Sequence, residues 1–341
     1  MTIQSLTRKM LFSIGLGILV VFVLSFSSDA PRLLKILERF QWHVLPLVIG
    51  LTLTNYLLRF VKWHYYLRVV GIRDVPVSQS ALIFIAGLSM AITPAKVGEL
   101  LKSYLLFHHR GVAIGRSAPI VFAERLTDGV AMVILASAGL VIYGVGWQML
   151  LPIVAVMALV VALSQHRGVS AWALGLAERV PLVSSKVHHL EAALVSANRL
   201  FRLPTLLLAI AIGVVSWGCE SLAFYVVLSA LGLPASPMLA VQAAFILAVS
   251  SLVGAASMLR GGLAAAEGTL AGLLLLLHVT RNASIAAAAT LIIRFCTLWL
   301  GVAVGMVGLV LAASQLRGID LTTPTNPGDE SPSASIEVVG R

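Results

Sequence analysis

Thr93-Pro94-Ala95-Lys96-Val97-Gly98-Glu99, followed by Glu124-Arg125-Leu126-Thr127-Asp128, decides the fold because the pattern returns. About 168 residues later, Arg260-Gly261-Gly262-Leu263-Ala264-Ala265-Ala266-Glu267 precedes Arg294. Each copy sets helix-breaking residues and a carboxylate between two apolar stretches. An arginine then follows inside the next apolar stretch. Glu99 to Arg125 is 26 residues and Glu267 to Arg294 is 27. Matched breaks and charges in two halves of an apolar chain read most simply as a transporter, with its site at the repeat interface.

Composition places the chain in a membrane. Hydrophobic residues make up 59% and charged residues 11%, against roughly 25% charged in a soluble domain. Mean hydropathy is +0.98. Several apolar runs reach the roughly 20 residues that a spanning helix requires. The net charge of +10 then belongs to cytoplasmic loops and anionic lipid. It does not point to nucleic acid, because no soluble basic domain is present to hold it. Cys219 and Cys296 both fall in apolar runs and read as small buried hydrophobes. No disulfide framework, metal-ligand spacing or cofactor motif is evident.

The apolar runs predict an all-α polytopic membrane protein. About six transmembrane helices and two re-entrant, broken-helix hairpins form inverted repeats. Met10 to Ser27 is too long for a signal-peptide core and reads as an uncleaved first span. Ala30 to His43 carries Arg32, Lys35, Glu38 and Arg39 among leucines, as an interfacial amphipathic helix does. A second span covers about Val44–Val70. Gln79–Ile92 is short for a crossing and stops at Thr93-Pro94, and Lys96–His108 resumes as the hairpin's other arm, with two thin spans as the alternative reading. Spans follow at about Ala118–Tyr143, Trp147–Ser164 and Pro204–Leu231. Pro237 begins the second broken pair, which ends near His278, and the last span is about Ser284–Ala313.

Residues 1–313 thus form one transmembrane domain. Repeat 1 is about 79–143, repeat 2 about 237–313, and residues 166–202 are an amphipathic cytoplasmic segment. Residues 314–341, rich in Pro, Ser, Thr and Asp, read as a disordered tail. With both termini in the cytoplasm, Arg68, Arg73, Arg110, Arg116, Arg167, Arg179, Lys186, Arg199, Arg202 and Arg317 all lie inside. The loops near Gly144 and Leu233 carry no charge and lie outside, with Arg281 and the amphipathic helix as the exceptions to the pattern. The plasma (inner) membrane is the expected location. Three spans separate the hairpins, so the second enters from the opposite face, as alternating access requires.

Lys62-Trp63, Pro94-x-x-x-Gly98-Glu99-Leu100-Leu101-Lys102, Glu124-Arg125-x-x-Asp128, Gly261-Gly262-Leu263 with Glu267, and Arg294 occur in a characteristic order. On these residues, 44–313 resembles the transmembrane domain of lysylphosphatidylglycerol synthases, which many small flippase-like bacterial and archaeal membrane proteins share. One departure is local: Met258-Leu259-Arg260 stands where that family usually has a proline–glycine break. The resemblance implies a lipid-translocating or lipid-modifying context, without the soluble catalytic domain of the lysyl-lipid synthases.

Five acidic residues sit within apolar segments: Glu99, Glu124, Asp128, Glu220 and Glu267. Each costs about 2.5–3.5 kcal/mol at mid-helix on insertion scales, so each needs a cation, a watery cavity or a bundle interior. Arg59, Lys62, Lys96, Lys102, Arg125, Arg260 and Arg294 supply cations in the same segments. Glu124 and Asp128 share a helical face, with Arg125 three residues before Asp128. Lys96 and Glu99 open a half-helix whose free N–H groups favour an anion such as a phosphate-bearing headgroup. Each position also has a plainer reading. Glu124, Arg125 and Asp128 suit an ion-pair cluster that docks the hairpin, and Glu267 with Arg294 suits a structural pair. Glu99 suits an exposed hairpin tip, and Glu220 a protonated core residue. Arg59 and Lys62 suit snorkelling from a span end. Gly301-x-x-x-Gly305 suits close helix packing.

The expected function is an inner-membrane flippase or translocase for a phosphate-headed lipid. Aminoacylated phospholipids, polyprenyl-phosphate-linked lipids and terpenoid lipids are the candidate cargoes. The site would be drawn from Lys96, Glu99, Lys102, Glu124, Arg125, Asp128, Glu220, Arg260, Glu267 and Arg294. No Walker pattern is present, so ATP drive within the chain is not expected. A membrane-embedded enzyme would need an acid/base dyad facing solvent, and 166–202 offers none. A non-transporting partner of a lipid-synthesis enzyme is the third reading.

Overall fold

A computed structural model describes residues 30–93, 97–143, 187–259 and 262–315, with scattered helical positions between 151 and 165. The expected first span, most of the expected span at 147–164, Lys96, Arg260 and the C-terminal tail lie outside the described residues. Every regular element among the described residues is helical, with no strand among them.

Helix α1 (Ala30–Arg39) leads through a short 3-10 turn into α2 (Leu45–Val69). Helix α3 (Val77–Leu88) ends in a 3-10 turn at Ser89–Ile92. A second 3-10 turn, Val97–Leu100, opens α4 (Leu101–Arg110). Then come α5 (Ile114–Tyr143), α6 (Val187–Leu200), α7 (Leu203–Ala230), α8 (Pro237–Ala256) and α9 (Ala265–Leu276). Helix α10 (Ala283–Arg294) continues through a π-helical turn, Phe295–Trp299, into α11 (Leu300–Gln315).

Local chemistry sets these boundaries. Pro204 and Pro237 stand in the first turns of α7 and α8, where the missing N–H has no helical partner to lose. Ser236 caps α8 by accepting from the Leu239 amide at 3.1 Å, and Asn282 caps α10 through the Ser284 amide at 2.9 Å. Gly111, at φ 63°, closes α4 in the left-handed conformation.

Four helices are long and apolar enough to cross a membrane: Trp42–Val69, Leu203–Ala230, Pro237–Ala256 and Ala283–Ala312. Helix α5, at 30 residues, is about 45 Å long, although it carries Glu124, Arg125 and Asp128 within it. Val77–Ile92 and Ala265–Leu276 are apolar but shorter. The two broken pairs therefore differ. In the second, the first arm alone is long enough to cross.

The halves pack reciprocally. Asn55 Nδ2 on α2 donates to the Ser216 carbonyl on α7 at 2.9 Å, and Ser216 Oγ donates back to the Asn55 carbonyl at 3.4 Å. Asn55 also meets Glu220 on α7, whereas Lys62, further along α2, lies near Gly213. The two helices thus run antiparallel through a crossing at Asn55 and Ser216. Around them, each half's closing helix rests on the other half's first arm. On α5, a Cβ added at Gly139 would stand 2.5 Å from Phe245 of α8. On α11, a Cβ at Gly305 would stand 2.1 Å from the Ser89 amide nitrogen, and one at Gly308 2.5 Å from Ile85. The neighbour is backbone at Gly305 and a side chain at Gly139 and Gly308, and in each case the missing side chain makes the room.

Two apolar clusters flank the crossing. One contains Phe224, Ile246, Leu274 and Ile293. The other contains Trp63, Leu67, Ile83, Leu106 and Ile120. Helix α1 is tied to the second half by Leu33 against Ala287 and Ala288.

Candidate functional site

The first broken pair carries a buried ion network. The Thr93 hydroxyl closes the turn, donating to the Met90 carbonyl at 2.7 Å and accepting from the Gly98 amide at 2.9 Å. Glu99 follows directly and is 5% exposed, which overturns its reading as an exposed tip. It lies 3.3 Å from the guanidinium of Arg125 on α5. Arg125 also reaches Asp128 at 3.3 Å. On α4, Lys102 is buried and pairs with Glu124. Its ammonium stands 4.4 Å from the centroid of the Trp63 ring and 5.5 Å from that of Phe84. Glu124 and Arg125 thus both bind the hairpin arm, as the docking-cluster reading expects.

Lys62 corrects another expectation. It does not snorkel. It is 1% exposed, pairs with Asp128, and lies 3.4 Å from the Thr127 hydroxyl, which Tyr66 also approaches at 3.4 Å. Lys62, Lys102 and Arg125 face Glu99, Glu124 and Asp128, so three cations balance three carboxylates. A charge left alone here would be strongly destabilising, whereas a paired one is tolerated.

The second broken pair repeats the motif with fewer charges. Glu267, in the first turn of α9, is 4% exposed and accepts from Arg294 Nε at 2.7 Å. The break before it uses Met258 at φ 52° and Ala264 at φ 70°, both non-glycine residues in the left-handed region. Such positions cost about 1–3 kcal/mol each. They build the turn that a proline–glycine pair would otherwise supply. The π-helical turn begins directly after Arg294, and the Thr297 carbonyl within it accepts from the Tyr56 hydroxyl of α2. Single π turns mark functional positions more often than chance. Glu220 accepts from Asn55 Nδ2 at 3.1 Å, on the crossing between the halves.

The structure therefore gathers Glu99, Lys102, Glu124, Arg125 and Asp128 into one network and pairs Glu267 with Arg294. Glu220 stands apart at the helix crossing. A model of the lysylphosphatidylglycerol synthase TM region matches residues 10–305. The chain belongs to this family. No curated protein and no solved structure matches it. The match to the lysylphosphatidylglycerol synthase TM region begins well before residue 44, where the motif resemblance starts, and so takes in the first apolar segment and α1.

Within this family member, sequence reasoning missed the contribution of α2. Asn55, Lys62 and Tyr66 are all fully buried and point into the bundle. Their spacing, with Arg59 between them, follows one helical face. That polar stripe was readable, but Lys62 was assigned to a span end by its charge alone. Among the described residues no cluster of three or more metal-ligating side chains occurs.

Proposed function

We propose that the chain is an inner-membrane lipid translocase that moves a phosphate-headed lipid between leaflets. Six spans and two re-entrant hairpins, with both termini cytoplasmic, would form its inverted repeats. One observation carries this reading. Each half buries a glutamate just past a helix break and pairs it with an arginine 26 or 27 residues later, and the central helices of the two halves run antiparallel. Equivalent broken elements in antiparallel halves suit a site opened in turn to each side. Family membership adds a lipid context.

The cargo's tails would stay in the bilayer while its headgroup crosses beside the charged network. Carboxylates and arginines that release one another as the halves rearrange would gate that passage. Glu99→Gln and Glu267→Gln test the reading. Each keeps the side chain's shape and removes its charge. Purified variants in liposomes with a fluorescent phospholipid should lose leaflet exchange by about tenfold or more, a larger loss than their fall in stability, which is smaller for Glu99→Gln because Arg125 keeps Asp128. Exchange and stability falling in parallel would make the pairs structural staples. Unchanged exchange in both variants would also remove them from the transport site.

A further inference from the structure

Arg59 makes no direct ion pair among the described residues. Among the described residues Lys62, Lys102, Arg125 and Arg294 each form an ion pair, whereas Arg59 forms neither an ion pair nor a hydrogen bond. It lies in the span Trp42–Val69, about 5 Å past the midpoint at 1.5 Å per residue. The nearest edge of a hydrocarbon core of about 30 Å is then about 10 Å further on. That depth is hard to escape by snorkelling.

Its place on α2 is also informative. Asn55 lies one turn before it, and Lys62 three residues after it, both essentially without exposure. Arg59 shares their face, yet it is partly exposed. A partly exposed arginine beside buried Asn55 and Lys62 remains accessible to an approaching group. It lies within electrostatic range of both Tyr56 and Asp128, between the inter-half contact and the first network. Asn55 adds a buried side-chain oxygen that has no hydrogen-bond partner among the described residues. A donor-bearing ligand would satisfy it.

We propose that Arg59 and Asn55 form a phosphate site at the crossing of α2 and α7. The guanidinium fork contacts the phosphate oxygens, and the Asn55 oxygen accepts from a neighbouring hydroxyl. The cations first expected to hold the phosphate are already neutralised: Lys102 by Glu124, Arg125 by Glu99 and Asp128. Arg59 is free to take an anion without breaking a pair. The assignment deepens the translocase reading and rests on it for the meaning of a bound lipid, but binding can be measured without transport.

The experiment uses the full-length protein in neutral detergent. Its thermal midpoint is titrated with phosphatidylglycerol, inorganic phosphate or diacylglycerol. Phosphatidylglycerol should raise the midpoint and diacylglycerol should not. If inorganic phosphate acts too, the site reads the phosphate alone; if it does not, the site reads the phosphate within a lipid. Arg59→Gln should weaken the phosphatidylglycerol response by roughly tenfold or more, as loss of a charge-assisted hydrogen bond does. Arg59→Lys should restore part of it, and the exposed-charge control Arg73→Gln should respond as wild type. An Arg59→Gln response equal to wild type would overturn the proposal. So would equal stabilisation by diacylglycerol, or no response to either phosphate. Should Arg59→Gln fail to fold, Asn55→Leu and the Arg59→Lys response carry the same decision: neither differing from wild type overturns the site. A protein that binds as expected but exchanges no lipid would refute the translocase reading and leave the phosphate site standing.

Discussion

Replacing Lys62 by Met tests whether the α2–α5 ion pair is held as a pair. The Lys62 and Asp128 side chains are 1% and 3% exposed. Removing one partner of a buried pair costs about 3–5 kcal/mol, because the other charge stays desolvated. Asp128 keeps Arg125 at 3.3 Å, which places Lys62→Met near the lower end of that range. Asp128→Leu leaves Lys62 with only the Thr127 hydroxyl at 3.4 Å and should cost more. The double variant removes both charges and leaves Arg125 with Glu99 at 3.3 Å. Apolar replacement of a whole buried pair is often neutral, so the double variant should lie within about 1 kcal/mol of wild type. The single costs then sum to about 6 kcal/mol or more against at most about 1 for the double, a coupling of about 5 kcal/mol, well above the roughly 0.5 kcal/mol within which distant, independent sites add. Reversible unfolding in mixed detergent micelles, followed by tryptophan fluorescence, measures all four proteins. Single costs that add to the double cost within about 0.5 kcal/mol would refute the reasoning.

Gly305→Ala should destabilise the protein by about 1–3 kcal/mol as an overpacked contact, since its Cβ would stand 2.1 Å from the Ser89 nitrogen. Gly50→Ala, with nothing within 4 Å, should not, and equal midpoints for the two would refute the packing argument. Tyr56→Phe should cost about 0.5–1.5 kcal/mol by depriving the Thr297 carbonyl of its donor; an unchanged unfolding curve would show that the contact contributes nothing. For topology, a cysteine introduced at Lys186 in a background without Cys219 and Cys296 should resist an impermeant thiol reagent in intact cells and react after permeabilisation. Strong labelling of intact cells would reverse the proposed orientation.

The helical framework was legible because its signals are local. Apolar runs, Pro204 and Pro237 at helix starts, and the breaks at Thr93-Pro94 and Gly261-Gly262 each act within one segment. The matched spacing from Glu99 to Arg125 and from Glu267 to Arg294 carried further, and the structure pairs each glutamate with that arginine. What escaped was partner choice across distant segments. Lys62 and Asp128 are 66 residues apart, and no local rule separates a lysine that snorkels from one that meets a carboxylate on another helix. The Tyr56–Thr297 contact depends on a π turn, which changes the carbonyl's direction without any marker in composition. Gly301 and Gly305 were visible as a small-residue motif, but which surfaces they meet, Tyr56 and the Ser89 backbone, is a property of the assembled bundle.

The glycine contacts determine which parts can move as bodies. Helix α11, within the second repeat expected from the sequence, packs Gly305 onto the backbone at the end of α3, and α5 packs Gly139 onto the Phe245 side chain of α8. Interfaces with backbone-to-backbone contact resist sliding, because any displacement meets atoms at once. A shape change in this protein would therefore follow mechanical units that differ from its sequence repeats. Each unit is a hybrid, one half's broken arm fused to the other half's closing helix. Between the hybrids cross α2 and α7, joined by the hydrogen bonds of Asn55 with Ser216 and Glu220. Those bonds could exchange partners in a rotation, which would make the polar crossing a hinge between the two glycine-packed faces.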